Sequence, residues 1–109
     1  MAEPAFVGLR VGHATRPEGL TGCTGFLCPA GTIASVDVRG PAPGSRETAL
    51  LQPDKPVNQV HGLVLSGGSA FGLATADGVK RDLAEQGIGH VTPIRPTPLV
   101  PAALVYDLF

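Results

Sequence analysis

The sequence predicts an α+β layered domain whose coverage is incomplete within this chain. Three observations carry that prediction. Short apolar runs recur along the 109 residues, separated by 15 glycines and 11 prolines that punctuate the chain and do not cluster into low complexity. One stretch, 70–86, has the apolar spacing of a long helix. A last apolar run, 99–108, has no further helix to cover it, so several apolar side chains are left to face something outside the chain. Hydrophobic residues make up 43%, enough for a core. The length suits one domain, since domains typically hold about 100–150 residues. No internal repeat is present.

The elements follow in order. Ala5–Val11 mixes apolar and small residues and reads as a first strand, followed by a polar loop from Gly12 to Gly22. Gly22–Cys28 and Thr32–Val38 read as an antiparallel hairpin joined at Pro29-Ala30-Gly31, favoured turn chemistry. In its second arm Ile33, Ser35 and Asp37 share one face, and Ala34, Val36 and Val38 the other. Arg39–Gln52 starts irregularly, in R-G-P-A-P-G-S-R-E-T. Ser45 is placed to cap a short helix through Thr48-Ala49-Leu50-Leu51, with Glu47 favoured in its first turn by the helix dipole. Pro53-Asp54-Lys55-Pro56 stops it.

Val60–Leu65 is apolar on both faces apart from His61, as in a strand covered on both sides. Ser69 is a good N-cap, and Ala70–Gln86 follows as the long helix. Phe71, Leu73, Ala74, Ala76, Val79 and Leu83 supply its apolar side, and Lys80, Arg81, Asp82 and Glu85 its solvated side. Gly72 and Gly78 weaken it by about 1 kcal/mol each relative to Ala, which points to close packing against a sheet. Gly87 suits the left-handed residue after a helix, with Ile88 folding back onto the last turn. Gly89–Val91 begins another strand. Thr92–Pro98 holds three prolines and cannot be a central strand. Leu99–Leu108 is the final apolar element, broken by Tyr106-Asp107.

Composition excludes several classes. A formal net charge of −1 offers no basic surface for nucleic acid or an anionic membrane. Four Phe, one Tyr and no Trp do not make a base-stacking platform. No apolar run approaches the ~18 residues of a membrane span. Met1-Ala2-Glu3-Pro4 lacks the basic and apolar regions of a secretory signal, so a cytoplasmic location is expected. Cys23 and Cys28 lie an odd number of residues apart, which on one strand puts them on opposite faces and argues against a disulfide. They read as reduced, packed thiols. With His13, His61 and His90 they show no ligand spacing, and no metal or cofactor is expected.

The chemistry concentrates at V-L-S-G-G-S-A-F-G. It lacks the lysine of a P-loop, the spacing of a dinucleotide fingerprint and the final glycine of a nucleophile elbow. Its physics still favours a site. Adjacent Gly67 and Gly68 admit a ligand or another backbone where a Cβ would obstruct it. A helix starting near Ser69 points free N–H groups at that space, which suits a carboxylate or oxyanion. The plainer reading is a tight strand-to-helix turn with Ser69 as an ordinary cap. Tyr106, the only tyrosine, is the second candidate. It reads either as a donor that fixes a reacting carbonyl or nucleophile, or as an edge tyrosine bonded to backbone. Asp107 beside it faces the other way and reads as structural. His61 reads as a packed strand histidine and His13 as a loop residue making backbone contacts.

The series V-G-H-A-T, G-L-T-G-C-T, D-V-R-G-P-A-P-G-S-R-E-T, V-H-G-L-V-L-S-G-G-S-A-F-G-L and L-V-P-A-A-L-V-Y-D-L resembles the start of the L-aminopeptidase/D-esterase family, which includes the DmpA-type and β-peptidyl aminopeptidases and the nylon-oligomer hydrolase. The resemblance runs in family order over nearly the whole chain. It implies part of an αββα sandwich like that of N-terminal-nucleophile hydrolases, made as one precursor that cleaves itself into an α and a β chain. The new N-terminal Ser or Thr of β is the nucleophile, with its own amine as base. Tyr106 matches the family's active-site tyrosine, and Ser66-Gly67-Gly68, followed by Ser69, matches the glycine loop lining the site. An oxyanion donor of this kind is worth about 2.7–4 kcal/mol in another hydrolase.

The resemblance further implies that residues 1–109 are the N-terminal portion of a single peptidase domain, incomplete without a downstream segment and inactive alone. The implied partners are the remaining α segment and β chain, a peptide or amide substrate, and further copies in a homo-oligomer of αβ units; nucleic acid and membrane are not among them. A non-catalytic binding or assembly domain on the same scaffold, or an enzyme like ornithine acetyltransferase, are the alternatives.

Overall fold

The computed structural model describes residues 4–6, 8–55 and 59–108. Its centre is a six-stranded sheet built from β1 (Pro4–Phe6), β2 (Leu9–Arg16), β3 (Thr21–Leu27), β4 (Ser45–Arg46), β5 (Gly62–Ser66) and β6 (Ala102–Leu104), in the order β1-β2-β3-β5-β6-β4. All neighbours are antiparallel except β5 and β6. A parallel pair needs a long crossover, and here the crossover carries the helix α1 (Thr75–Glu85). The fold is therefore mixed α and β, with helix on one face of the sheet.

The first strand expected over Ala5–Val11 is instead divided between the three-residue β1 and the start of β2, which pair antiparallel on either side of Gly8, whose φ of 82° is left-handed. The loop expected from Gly12 to Gly22 is mostly strand. β2 runs to Arg16 and pairs with β3 from Arg10↔Leu27 to Arg16↔Thr21, closed by a 3-10 turn at Pro17–Gly19. The residues from His13 to Arg16 are exposed, so no alternation of burial marks this half of the strand.

The expected hairpin partner of β3 is also different. The turn itself forms, with the Thr32 amide 3.2 Å and its hydroxyl 2.6 Å from the Pro29 carbonyl. Among the described residues, 32–38 then make only an isolated bridge, Ile33↔Gln59, because β5 occupies that edge of β3 in register Cys23↔Ser66 to Leu27↔Gly62. Ser45 does not cap a helix. It lies in β4, opposite Ala103, and Glu47 follows at a left-handed φ of 58°, leaving only a 3-10 turn at Ala49–Leu51. Gly89–Val91 contributes an isolated bridge, His90↔Thr97, and no strand.

The long helix begins later than expected. Ser69–Ala74 is 3-10 and α1 starts at Thr75, whose hydroxyl donates to the Gly72 carbonyl at 2.7 Å. Ser69 has φ 51° and makes no capping bond. Phe71, expected on the apolar side, is 82% exposed. Of the two helix glycines, Gly72 is needed for close approach, while Gly78 faces open space. The C-terminus ends as expected: Gly87 has φ 72°, its amide donates to the Ala84 carbonyl, and the Ile88 amide donates to that of Leu83, both at 3.0 Å. That is a Schellman arrangement, which satisfies carbonyls the helix cannot.

Val64, Ala76, Leu83, Val100 and Ala102 form the buried core, with Leu27 and Val79 packed against it. The helix covers β5 on one face only: Gly62, Val64 and Ser66 are buried, whereas Leu65 is 48% exposed on the other. The two-sided cover expected for Val60–Leu65 is thus absent among the described residues. Cys23 and Cys28 are both free thiols, and burial pushes that of Cys28 up. Among the described residues no helix is long and apolar enough to cross a membrane.

Candidate functional site

The space beside the doubled glycine is taken by the chain itself. A Cβ at Gly67 would collide with the Asp107 carboxylate and the Thr21 hydroxyl, and one at Gly72 would collide with the Gly67 carbonyl. Asp107 Oδ1 accepts the Gly68 amide at 2.7 Å, and Oδ2 accepts the Thr21 hydroxyl at 2.6 Å. The anion expected at the start of the helical segment is therefore an internal carboxylate. Both donors favour its ionised form, the Thr21 hydroxyl first and the Gly68 amide second, and hold its pKa below the usual carboxylate range.

The other amides of the turn are also engaged. That of Gly67 donates to the Gly22 carbonyl at 2.8 Å, and that of Ser69 to the Val105 carbonyl at 3.1 Å. The Val105 amide returns a bond to the Ser66 carbonyl at 2.9 Å, and the Ser66 hydroxyl donates to the Gly67 carbonyl at 2.8 Å. What Gly67, Gly68 and Ser69 offer a ligand is shape, not backbone amides.

The candidate residues divide between clefts on either side of the turn. Ser66 and Gly67 line a cleft of about 740 Å³ together with Thr21, Cys23, Leu65, Val105 and Asp107, with His13 and Arg16 also on its wall. An adjoining recess shares Ser66 and Gly67 and adds Gly68 and Phe71. Tyr106 lies with Ser69, Leu73 and Leu104 in a different cleft of about 800 Å³, roofed by the proline-rich loop around Pro41 and Pro43. Tyr106 is 69% exposed, and among the described residues its hydroxyl makes no hydrogen bond. Among the described residues no backbone group bonds it as the edge-tyrosine reading requires. Asp107 lines the other cleft, away from Tyr106, although neither residue lies in a strand.

His61 packs as expected. Its Nδ1 accepts the Leu99 amide at 3.0 Å while its own amide donates to the Leu99 carbonyl at 3.0 Å. Burial, with the charge of His90 second, depresses its pKa. His13 is in a strand, and its Nδ1 lies 2.8 Å from the Thr24 hydroxyl directly across the ladder. Sequence reasoning missed Thr21, which is separated from Asp107 by 86 positions. It also missed Arg46, and it read Glu47 as a first-turn helix residue. Arg46 reaches the Leu73 carbonyl at 3.2 Å and Asp77 at 2.6 Å, while Glu47 binds Lys80 at 2.9 Å and the Val100 amide at 3.0 Å. Among the described residues no group of His, Cys, Asp and Glu could hold a metal ion.

Comparison with known proteins agrees with the motifs. Residues 6–108 match peptidase family S58. The chain is 46% identical over 110 residues to an uncharacterized aminopeptidase of Mycobacterium tuberculosis, covering 93% of this chain and 32% of that protein. It is 45% identical over 109 residues to an uncharacterized aminopeptidase of Mycobacterium leprae, covering 93% of this chain and 30% of the relative. A 6-aminohexanoate-oligomer endohydrolase of Paenarthrobacter ureafaciens is 36% identical over 102 residues, covering 94% and 26%. The chain thus spans about a third or less of the curated relatives it matches. With the match running from the first strand through the Tyr106-Asp107 segment, this chain belongs to peptidase family S58.

Proposed function

We propose that this chain is the N-terminal part of the α chain of a self-processing aminopeptidase or amidase, which releases N-terminal residues from peptides, amides or esters. The nucleophile lies outside these residues. The observation that carries the reading is the exposed Tyr106 phenol beside Ser69, unbonded among the described residues, within a chain that matches a peptidase family along nearly its whole length. Tyr106 is the catalytic group here, donating to the reacting carbonyl oxygen or orienting the nucleophile, and Ser66 to Ser69 form the substrate-binding wall. The open sheet face at Leu65, 48% exposed, continued just past β6 by Val105 at 63%, suits a second sheet from the remaining α segment and β chain, giving the αββα sandwich. Assembly of αβ units into a homo-oligomer in the cytoplasm belongs to the same reading.

The test uses the complete protein and an aminoacyl p-nitroanilide. Intact-mass measurement is expected to find two chains, and Tyr106→Phe to lower turnover by about tenfold or more. Turnover unchanged in that variant removes Tyr106 from the catalytic machinery. A single uncleaved chain that still hydrolyses the anilide removes self-processing.

A further inference from the structure

Among the described residues, Asp107 is the one side chain that joins the turn, the start of β3 and the exit of β6. Its carboxylate is bonded at both oxygens, to the Gly68 amide at 2.7 Å and to the Thr21 hydroxyl at 2.6 Å. Residue 105, two positions earlier, is tied to the same turn by its own backbone: its amide reaches the Ser66 carbonyl at 2.9 Å, and its carbonyl receives the Ser69 amide at 3.1 Å. Tyr106 is thus bracketed, with one residue on each side fastened to Ser66–Ser69, while among the described residues its own side chain makes no bond that would hold it. β6 ends at Leu104, so past that point no strand ladder fixes the chain. Without the Asp107 clamp the bracket has only its first half.

We propose that Asp107 is a positioning residue for the hydrolase reaction: by holding the Gly68 amide and the Thr21 hydroxyl together, it fixes the backbone on the far side of Tyr106 and so sets where the phenol stands relative to the turn. The absence of a Cβ at Gly67 belongs to the same device, since that is the volume the carboxylate and hydroxyl occupy. Both bonds need an acceptor at Oδ1 and a polar partner for Thr21 at the other atom. An amide isostere supplies both, because its nitrogen can donate to the Thr21 oxygen. Charge is then dispensable, and geometry is what matters.

The proposal rests on Tyr106 acting in the site, and its test separates the two. In the complete protein, assayed with an aminoacyl p-nitroanilide, Asp107→Ala is expected to lower kcat at least tenfold with KM within about twofold, Thr21→Val to lower it less, and Asp107→Asn and Thr21→Ser to return most of it. A loss confined to thermal stability, with kcat intact in Asp107→Ala, overturns the proposal, as does failure of Asp107→Asn to restore turnover. An independent readout uses the protein labelled with 3-fluorotyrosine, in which the resonance lost in Tyr106→Phe identifies the phenol. That resonance is expected to move in Asp107→Ala and to return in Asp107→Asn. A phenol resonance indifferent to both overturns positioning even if the protein hydrolyses no anilide. A resonance that responds in a protein without hydrolysis leaves the clamp standing and rejects the hydrolase reading alone.

Discussion

Asp107 and Glu47 are two carboxylates that each tie three parts of the fold together, and they do so with different partners. Glu47 binds a cation, Lys80 on α1, at 2.9 Å and the Val100 amide at 3.0 Å, joining the helix to the chain that enters β6. Asp107 binds only neutral donors, joining the chain that leaves β6 to the turn and to β3. The Glu47 joint is about three-quarters buried on both side chains. The Asp107 joint sits on the wall of a cleft, one residue from the exposed phenol. A charged, buried joint serves assembly, because breaking it leaves an unpaired ion. A neutral-donor joint at a cleft wall is set by direction and length, which is what positioning requires.

Substitutions at the two joints are expected to separate these roles. The largest effect belongs to Gly67→Ala, whose Cβ has no room beside the Asp107 carboxylate and Thr21 hydroxyl. Overpacking of this kind costs about 1–3 kcal/mol, so urea unfolding is expected to show that loss together with lost hydrolysis. A variant as stable and active as the parent would mean that the turn yields without consequence.

Next comes Glu47→Gln, which removes the charge facing Lys80 and keeps an acceptor for the Val100 amide. A loss of about 1 kcal/mol is expected in the same measurement, with kcat unchanged. A drop in kcat equal to that of Asp107→Ala would erase the distinction between the joints.

The smallest effect is that of pH on Asp107. Its pKa is lowered in the folded state, by Thr21 first and Gly68 second, so the unfolded chain binds the proton more readily. The stability this contributes is fully present above the unfolded value of about 3.9 and is lost as pH falls through the lower folded value. Asp107→Asn is expected to flatten that acid limb of the thermal midpoint and to leave the limb above it unchanged. An identical acid limb would place the linkage elsewhere.

Local signals were readable where the chain satisfies itself locally. Gly87 and Ile88 close α1 as their order predicts, because a glycine at left-handed φ, its own amide and the one after it need only the preceding turn. Pro29-Ala30-Gly31 turns as predicted for the same reason. The strand expected over 32–38 failed because a strand requires a partner, and β5 held the edge of β3. The loop expected from Gly12 to Gly22 became a hairpin because backbone pairing with β3 does not need buried side chains to mark it. At the candidate site the doubled glycine and the lone tyrosine were visible, but what fills the glycine's space was not.

By itself the sequence determined the periodicity of α1, its C-terminal stop, the turn at Pro29-Ala30-Gly31 and the motif order that marks the family, all properties of neighbouring residues. Only the tertiary structure decided that Thr21 and Asp107, 86 positions apart, meet over Gly67, and that Tyr106 faces a different cleft from its neighbour. The physical reason is that a hydrogen bond depends on direction and distances of a few ångströms, and across such a separation those are set by how the sheet brings β3, β5 and β6 together.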